Sequence, residues 1–221
     1  MNLNYQFRSK DIFDPEKQKY KIHILGCGAL GSWISLCLAK MGCADITLYD
    51  FDFVEELNIG SQLYKISDVD KPKTISLAQT IKEFSGTDIK AKNAKVTKDT
   101  FLNVSMNDIW ILTFDDLENR KIFFDLIKDW NTTVIDVRQG GEEYNIQTVK
   151  TVNPDEVKKW SESFNIIETK LPCNAKTIVY VNMSVSSEVC NIIKKLNNGE
   201  KYPKKLIRHM KSYDIIHNQS V

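Results

Sequence analysis

Residues 20–31 read YKIHILGCGALG. The stretch 20–26 is a short run of apolar and β-favouring side chains closed by glycine, which reads as a strand buried on both faces. Gly26, Gly28 and Gly31 then fall at the spacing GxGxxG, and residues 29–42 (ALGSWISLCLAKMG) read as an apolar helix that stops at Gly42. The glycine spacing has a physical reason. The first glycine permits a tight turn, the second lets backbone approach a phosphate, and the third lets helix and strand pack closely. The opening of the helix presents unpaired N–H groups and the positive end of its dipole to an anion.

The same alternation runs outward from this unit. Residues 45–50 read as the next strand, 72–85 as a helix with Pro72 near its first turn, and 88–96 as an exposed strand. Residues 108–114 and 132–137 read as buried strands on either side of a helix at 116–129. Gly140-Gly141 marks a turn into a strand at 143–152, and 154–162, 175–196 and 203–214 read as helices. The pattern predicts an α/β fold: a Rossmann-like, mainly parallel sheet with helices on both faces and antiparallel strands added toward the C-terminus. One domain is expected over 1–221, with a nucleotide-binding core at about 19–137 and the portion from about 138 to 221 completing the sheet. Ligands in such sheets bind beyond the carboxyl ends of the strands, which points to the loops after Leu25, Tyr49, Thr113 and Val137.

Composition narrows the function classes. Hydrophobic residues at 42% and charged residues at 27% of 221 are globular values, which sets aside disorder, coiled coil and collagen. No apolar run approaches the ~18 residues of a membrane span, and MNLNYQFRSKDIFD has no apolar leader core, so a cytoplasmic location is expected. Thirty basic against 29 acidic residues give no support to nucleic acid or acidic lipid as the main partner. Lys201, Lys204, Lys205, Arg208 and Lys211 read as a solvated helix face. The five cysteines, Cys27, Cys37, Cys43, Cys173 and Cys190, are odd in number and form no CxxC. Free thiols and no structural zinc are expected.

Asp50 closes the second strand 19 residues past Gly31, where an acid can hydrogen-bond ribose hydroxyls. That much fits an NAD enzyme and an ATP enzyme alike. The residues beyond Asp50 separate the two. Residues 50–62 read DFDFVEELNIGSQ and residues 68–73 read DVDKPK, with a helix beginning at the last lysine. Further on, Asp115 follows the strand 108–114 and Arg120 stands five residues beyond it.

This arrangement resembles the adenylating domain of the ThiF/MoeB/HesA family, within the ubiquitin-activating-enzyme-like superfamily. The family pattern has an Asp-x-Asp, an Asn-x-x-Arg-Gln and a Lys opening the next helix. The likeness covers about residues 20–130 and is looser beyond. It implies an ATP- and magnesium-dependent adenylyltransferase that activates the C-terminal glycine carboxylate of a ubiquitin-like or sulfur-carrier protein ending in Gly-Gly, working as a homodimer. It also implies roles. Gly26, Gly28 and Gly31 would line the phosphates, Asp50 would hold the ribose, Asp52 would belong to the cofactor-binding set, and Asn58 and Gln62 would contact the nucleotide. Lys73 would pair with the phosphates, and Asp115 would hold Mg²⁺. Those residue types suit the chemistry: carboxylate attack on an α-phosphate brings two anions together, and a lysine and a hard cation lower the repulsion.

Cys173, just before the helix at 175–196, resembles the family position whose thiol accepts the activated acyl group. The chain departs from the pattern at Ser61, where the family carries the arginine of Asn-x-x-Arg-Gln. The chain has only Arg8, Arg120, Arg138 and Arg208. Arg120 or Arg138, both expected at the ligand edge of the sheet, would supply the missing charge or hold the incoming carboxylate. An ion pair of Arg138 with Glu142 or Glu143 is the plainer expectation for that residue. Two other functions stay open: an NAD-binding oxidoreductase or sensor, and a non-catalytic relative kept as a binding or dimerisation partner.

Overall fold

The computed structural model describes residues 8–96, 105, 108–165 and 177–219. Eight strands form one sheet: Ile22–Leu25 (β1), Ile46–Asp50 (β2), Lys90–Asn93 (β3), Ile109–Leu112 (β4), Thr133–Gly140 (β5), Glu143–Lys150 (β6), Pro203–His209 (β7) and Asp214–Gln219 (β8). Their order is β3-β2-β1-β4-β5-β6-β7-β8. The first five are parallel, and β6, β7 and β8 are antiparallel additions. Among the described residues the α-helices are Ala29–Met41 (α1), Lys73–Ser85 (α2), Leu117–Ile127 (α3), Pro154–Glu162 (α4) and Val179–Asn198 (α5).

Strand side chains alternate between the two faces of the sheet, and each face has its own core. On one face Ile22, Ile24, Ile46, Leu48, Ile109, Ile111, Ile135 and Val137 pack with Ile34 and Leu38 of α1, Leu77 of α2, and Val185 and Val189 of α5. On the other, Leu25, Tyr49, Trp110, Leu112, Val134 and Val149 pack with Phe123 and Ile127 of α3 and Trp160 of α4. Burial on both faces is why the central strands read as unbroken apolar runs. The buried His23 is a satisfied core residue: Nδ1 lies 3.2 Å from the Tyr49 hydroxyl, Nε2 lies 3.0 Å from Asp108 Oδ2, and the ring stacks on Trp110.

The expected helix at 203–214 is corrected. Residues 203–209 form β7, and after a turn containing Tyr213 at φ +63° the chain returns as β8. The physical reason is pairing at long range. Asn145 of β6 stands opposite Ile207 and Ile146 opposite Leu206, and residues 143–147 of β6 ladder with 205–209 of β7. Leu206 packs into the core while the residues on either side of it in β7 are only partly buried. The basic residues gathered there therefore lie on strands and turns. Two are paired: Lys204 lies 3.0 Å from Glu156, and Arg208 3.6 Å from Glu188.

The strand order reverses between β1 and β4. The crevice beyond the carboxyl ends of these two strands is where such a sheet takes its ligand.

Candidate functional site

The loop from Gly26 to Gly31 leaves β1 at this crevice. Gly26 sits at φ +98°, a conformation that L side chains rarely adopt, and a Cβ there would meet Thr113 Oγ1 at 3.0 Å. A Cβ on Gly31 would lie 1.9 Å from the Gly26 carbonyl oxygen, so this glycine is required for α1 to approach its own loop. Gly28 differs: a Cβ there would meet nothing within 4 Å. The space over Gly28 is open to a ligand. Gly28 is also the N-cap of α1, no side chain caps that end, and the first turn carries no acid. Its orphan N–H groups and positive dipole face outward unneutralised.

The loop is held from two sides. Asp50 Oδ2 accepts from Cys27 N at 2.6 Å and Oδ1 accepts from Asp52 N at 2.8 Å, so one carboxylate joins the glycine loop to the end of β2. Each oxygen keeps a second lone pair for another donor. Thr113 Oγ1 lies 2.8 Å from the Gly26 carbonyl and 2.9 Å from that of Leu25. The Tyr64 hydroxyl donates to Cys27 O at 2.6 Å, and burial keeps that phenol protonated far above its ordinary range. The Cys27 side chain is buried, and burial pushes its thiol up well beyond the usual value. It packs in the core.

Lys73 opens α2 beside this loop. The segment 53–72 folds back on itself, with Val54 N bonded to Lys71 O and Asp70 N to Val54 O, and Lys73 N then bonds Asp52 O at 2.9 Å. The Lys73 side chain is buried, yet its Nζ lies 3.1 Å from the carboxylate of Asp52, which is half exposed. A buried ammonium needs an anion near it. Here that anion stands at the surface, where another can take its place.

Beyond β4, Asp115 and Asp116 divide two tasks. Asp116 is the N-cap of α3 and accepts from Glu118 N at 2.9 Å. Asp115 is exposed and has no hydrogen bond or ion pair among the described residues, so its carboxylate is available to a ligand. Arg120, by contrast, is buried. It binds Asp136 Oδ1 and the Phe114 carbonyl, and donates to Val137 O at 2.8 Å. The guanidinium thus clamps the loop bearing Asp115 onto β5. Arg138 also turns to Asp136, with NH2 2.8 Å from Oδ2 and further bonds to Ser163 O and Oγ, rather than to Glu142 or Glu143. Trp160 Nε1 adds a bond to Asp136 at 2.9 Å. Burial would raise the Asp136 carboxyl, but Arg120 and Arg138 outweigh it and hold the group below its ordinary value.

The segment at 58–62 is fixed from α1 and α5. The Ser61 carbonyl accepts from Trp33 Nε1 and from Asn182 Nδ2, both at 2.9 Å. Thr177 Oγ1 lies 2.9 Å from Asn182 Oδ1 and 3.3 Å from Gln139 Nε2, which carries the chain of contacts to the end of β5. Asn58 Oδ1 accepts from Glu55 N and holds its own turn. Gln62 Oε1 is buried and has no hydrogen-bond partner among the described residues. Sequence reasoning missed Thr113, Trp33 and Asn182. Only Thr113 carries a local signal, a hydroxyl closing the apolar strand IWIL. Cys173 lies outside the described residues.

The loop, Asp50, Lys73 and Asp115 thus lie just after β1, at the end of β2, at the start of α2 and just beyond β4, and the model of the ThiF family matches residues 11–221. The chain belongs to the ThiF family. Among curated proteins, it is 28% identical over 138 residues to tRNA threonylcarbamoyladenosine dehydratase 1 of Saccharomyces cerevisiae. That match covers 61% of this chain and 32% of the yeast protein, so the chain spans about a third of that relative. Among solved structures, PaaA superposes with a TM-score of 0.72 at 20% identity, covering 93% of this chain and 74% of PaaA. MccB of Escherichia coli, solved with ATP, gives 0.70 at 17% identity, covering 92% and 65%. At these identities the solved structures establish the fold that the ThiF family shares with this chain.

Proposed function

We propose that this ThiF-family chain binds ATP with magnesium in the crevice beyond β1 and β4 and activates a substrate carboxylate by adenylation. The observation that carries the reading is the buried ammonium of Lys73 held by a surface carboxylate beside an open, uncapped glycine loop. Such a lysine exchanges the Asp52 carboxylate for a phosphate oxygen. The amides at the start of α1 receive a second phosphate over Gly28. Asp50 accepts from ribose hydroxyls with its remaining lone pairs, and Gln62 Oε1 accepts from an N–H of the nucleotide.

Asp115 suits Mg²⁺, a hard cation satisfied by one or two carboxylates, phosphate oxygens and water. No group of three or more metal-ligating side chains is found among the described residues, so the nucleotide would supply the other ligands. The ion, when bound, offsets phosphate charge as the carboxylate approaches. Lys73 and the α1 amides meet the charge that develops on the phosphate oxygens.

The relatives support the same chemistry: one MccB structure holds ATP, and another holds AMPCPP with MccA. The yeast relative is named for a modified tRNA nucleoside. We favour a Gly-Gly-tailed ubiquitin-like or sulfur-carrier protein, because a net charge of +1 suits nucleic acid poorly. On this reading the protein is a homodimer and Cys173 receives the acyl group as a thioester.

Calorimetry with Mg-ATP and with NAD, and then ATP–pyrophosphate exchange in the presence of Gly-Gly-tailed carriers, tests the proposal. Binding of Mg-ATP and carrier-dependent exchange are expected. Binding of NAD but not ATP would overturn it.

A further inference from the structure

Two hydroxyls reach the glycine loop from outside it. Tyr64 is buried in the core that α1 shares with the sheet. Its backbone is fastened on both sides: Leu63 N donates to Ser32 Oγ of α1 at 3.1 Å, and Lys65 N donates to Asp68 Oδ2 at 3.0 Å. So held, the phenol places its one proton on Cys27 O at 2.6 Å. At the end of β4, Thr113 Oγ1 lies 2.8 Å from Gly26 O. Leu25 O already accepts Thr113 N at 3.0 Å, which leaves the hydroxyl proton for Gly26 O.

We propose that Tyr64 and Thr113 are positioning residues of the glycine loop, fixing two successive peptide groups so that Gly28 N–H is turned toward a phosphate before the ligand arrives. This rests on the nucleotide reading above and adds to it two side chains that touch no ligand. The reason is the planarity of the peptide. In a trans peptide the N–H points opposite to the C=O across one plane, and no cis peptide occurs among the described residues. Thr113 holds the Gly26 carbonyl and Asp50 Oδ2 holds Cys27 N–H at 2.6 Å, so the first peptide is gripped at both ends. Its N–H is spent on Asp50. The second peptide is gripped at its carbonyl end by Tyr64 from the buried side, and Gly28 N–H therefore points away from the core. That N–H has no hydrogen-bond partner among the described residues.

The two grips supply preorganisation. A glycine-rich loop is conformationally permissive, and a loop free to rotate its peptides must order them as it binds, at a cost in affinity. Here folding orders them. Gly28 has open space where a side chain would stand, and its N–H joins the unpaired N–H groups at the uncapped start of α1. Both hydroxyls act on backbone carbonyls, so the residues GCGALG carry no sign of either. Tyr64 stands 37 residues from Cys27, and Thr113 stands 87 from Gly26.

The test is an amide NMR spectrum of the full ¹⁵N-labelled chain, free and titrated with inorganic tripolyphosphate, for wild type, Tyr64→Phe and Thr113→Val. Each variant removes a hydroxyl and keeps the side-chain shape, and the Gly60 and Gly199 signals report that the chain is folded. In the free protein the Gly28 signal should move in Tyr64→Phe and the Cys27 signal in Thr113→Val, since each nitrogen shares a peptide plane with the released carbonyl. Tripolyphosphate should move the Gly28 signal of the wild type. Each variant should bind it about 3- to 10-fold more weakly, the factor that one neutral hydrogen bond contributes. Thr113→Ser, which restores a hydroxyl, should recover the wild-type response. A Gly28 response in either variant equal to that of the wild type would overturn the role of that hydroxyl, and no Gly28 response in the wild type would overturn both. A wild type that answers tripolyphosphate but not Mg-ATP would instead sink the nucleotide reading and leave the two positioning roles standing.

Discussion

Lys73 Nζ lies 3.1 Å from Asp52 Oδ2, and the two residues differ in burial: the lysine side chain is 10% exposed and the aspartate 53%. The pair is lopsided, with a fixed cation and a replaceable anion. Lys73→Ala removes a charged hydrogen-bond donor to the nucleotide. Such bonds contribute ~1.5–3 kcal/mol, so Mg-ATP should bind about 10–100-fold more weakly by calorimetry. Asp52→Asn should do less harm, since it leaves the ammonium in place.

Gly31 and Gly28 separate folding from binding. A methyl at position 31 collides with the Gly26 carbonyl, whereas one at 28 enters empty space. Gly31→Ala should therefore destabilise the chain by about 3 kcal/mol or more, as overpacking against backbone does. Gly28→Ala should cost about 1 kcal/mol or less, the usual difference between these residues at an N-cap, yet should abolish nucleotide binding. Urea unfolding and calorimetry on both variants check the contrast.

Much of the fold was legible where a few adjacent residues carry it. YKIHILG, IWIL and TTVIDV are apolar on both faces because the strands are buried on both faces, and GCGALG marks the first crossover. The C-terminal hairpin was not legible, because its ladder partner β6 lies some sixty residues earlier in the chain. The site divides in the same way. The glycine loop, Asp50, Lys73 and Asp115 sit at element ends that a local window finds. The bond from Asn182 to Ser61 spans 121 residues and leaves no local trace. Arg120 and Arg138 were readable as cations near the ligand edge. Their convergence on Asp136 was not, although an aspartate inside TTVIDV signals a buried carboxylate that needs cations.

Asp115 and Asp116 are neighbours with opposite expected phenotypes. Asp116 caps α3, so Asp116→Ala should lower stability by ~1 kcal/mol and leave nucleotide affinity nearly intact. Asp115 supports nothing in the fold among the described residues. Asp115→Asn should change stability by less than ~0.5 kcal/mol and remove the dependence of ATP binding on magnesium. A thermal scan with and without Mg-ATP distinguishes the two.

Asp136 binds Arg120 in the clamp on the Asp115 loop, and Arg138 shares it. Asp136→Asn leaves two guanidinium groups facing a neutral amide in the interior. Removing one partner from a buried ion pair costs ~3–5 kcal/mol. The unfolding free energy from urea titration should fall by that amount, seen as a lower midpoint with an unchanged slope, since the surface exposed on unfolding stays the same.

His23 gives stability a dependence on pH in a range where few other groups titrate. Burial lowers its pKa below the ordinary 6.5, and the hydrogen bond to Asp108 opposes that shift without cancelling it. The unfolded chain therefore takes up a proton on His23 at a higher pH than the folded chain does. The contribution is complete above pH 6.5 and is lost as pH falls from there through the folded-state value, because protonation then favours unfolding. The other two histidines, His209 and His217, stand at the surface-facing hairpin. Melting temperature should thus drop between pH 7.5 and pH 5. His23→Gln should lower stability throughout, through the lost stacking on Trp110, and should flatten that slope. An unchanged slope in the variant would assign the pH dependence to groups other than His23.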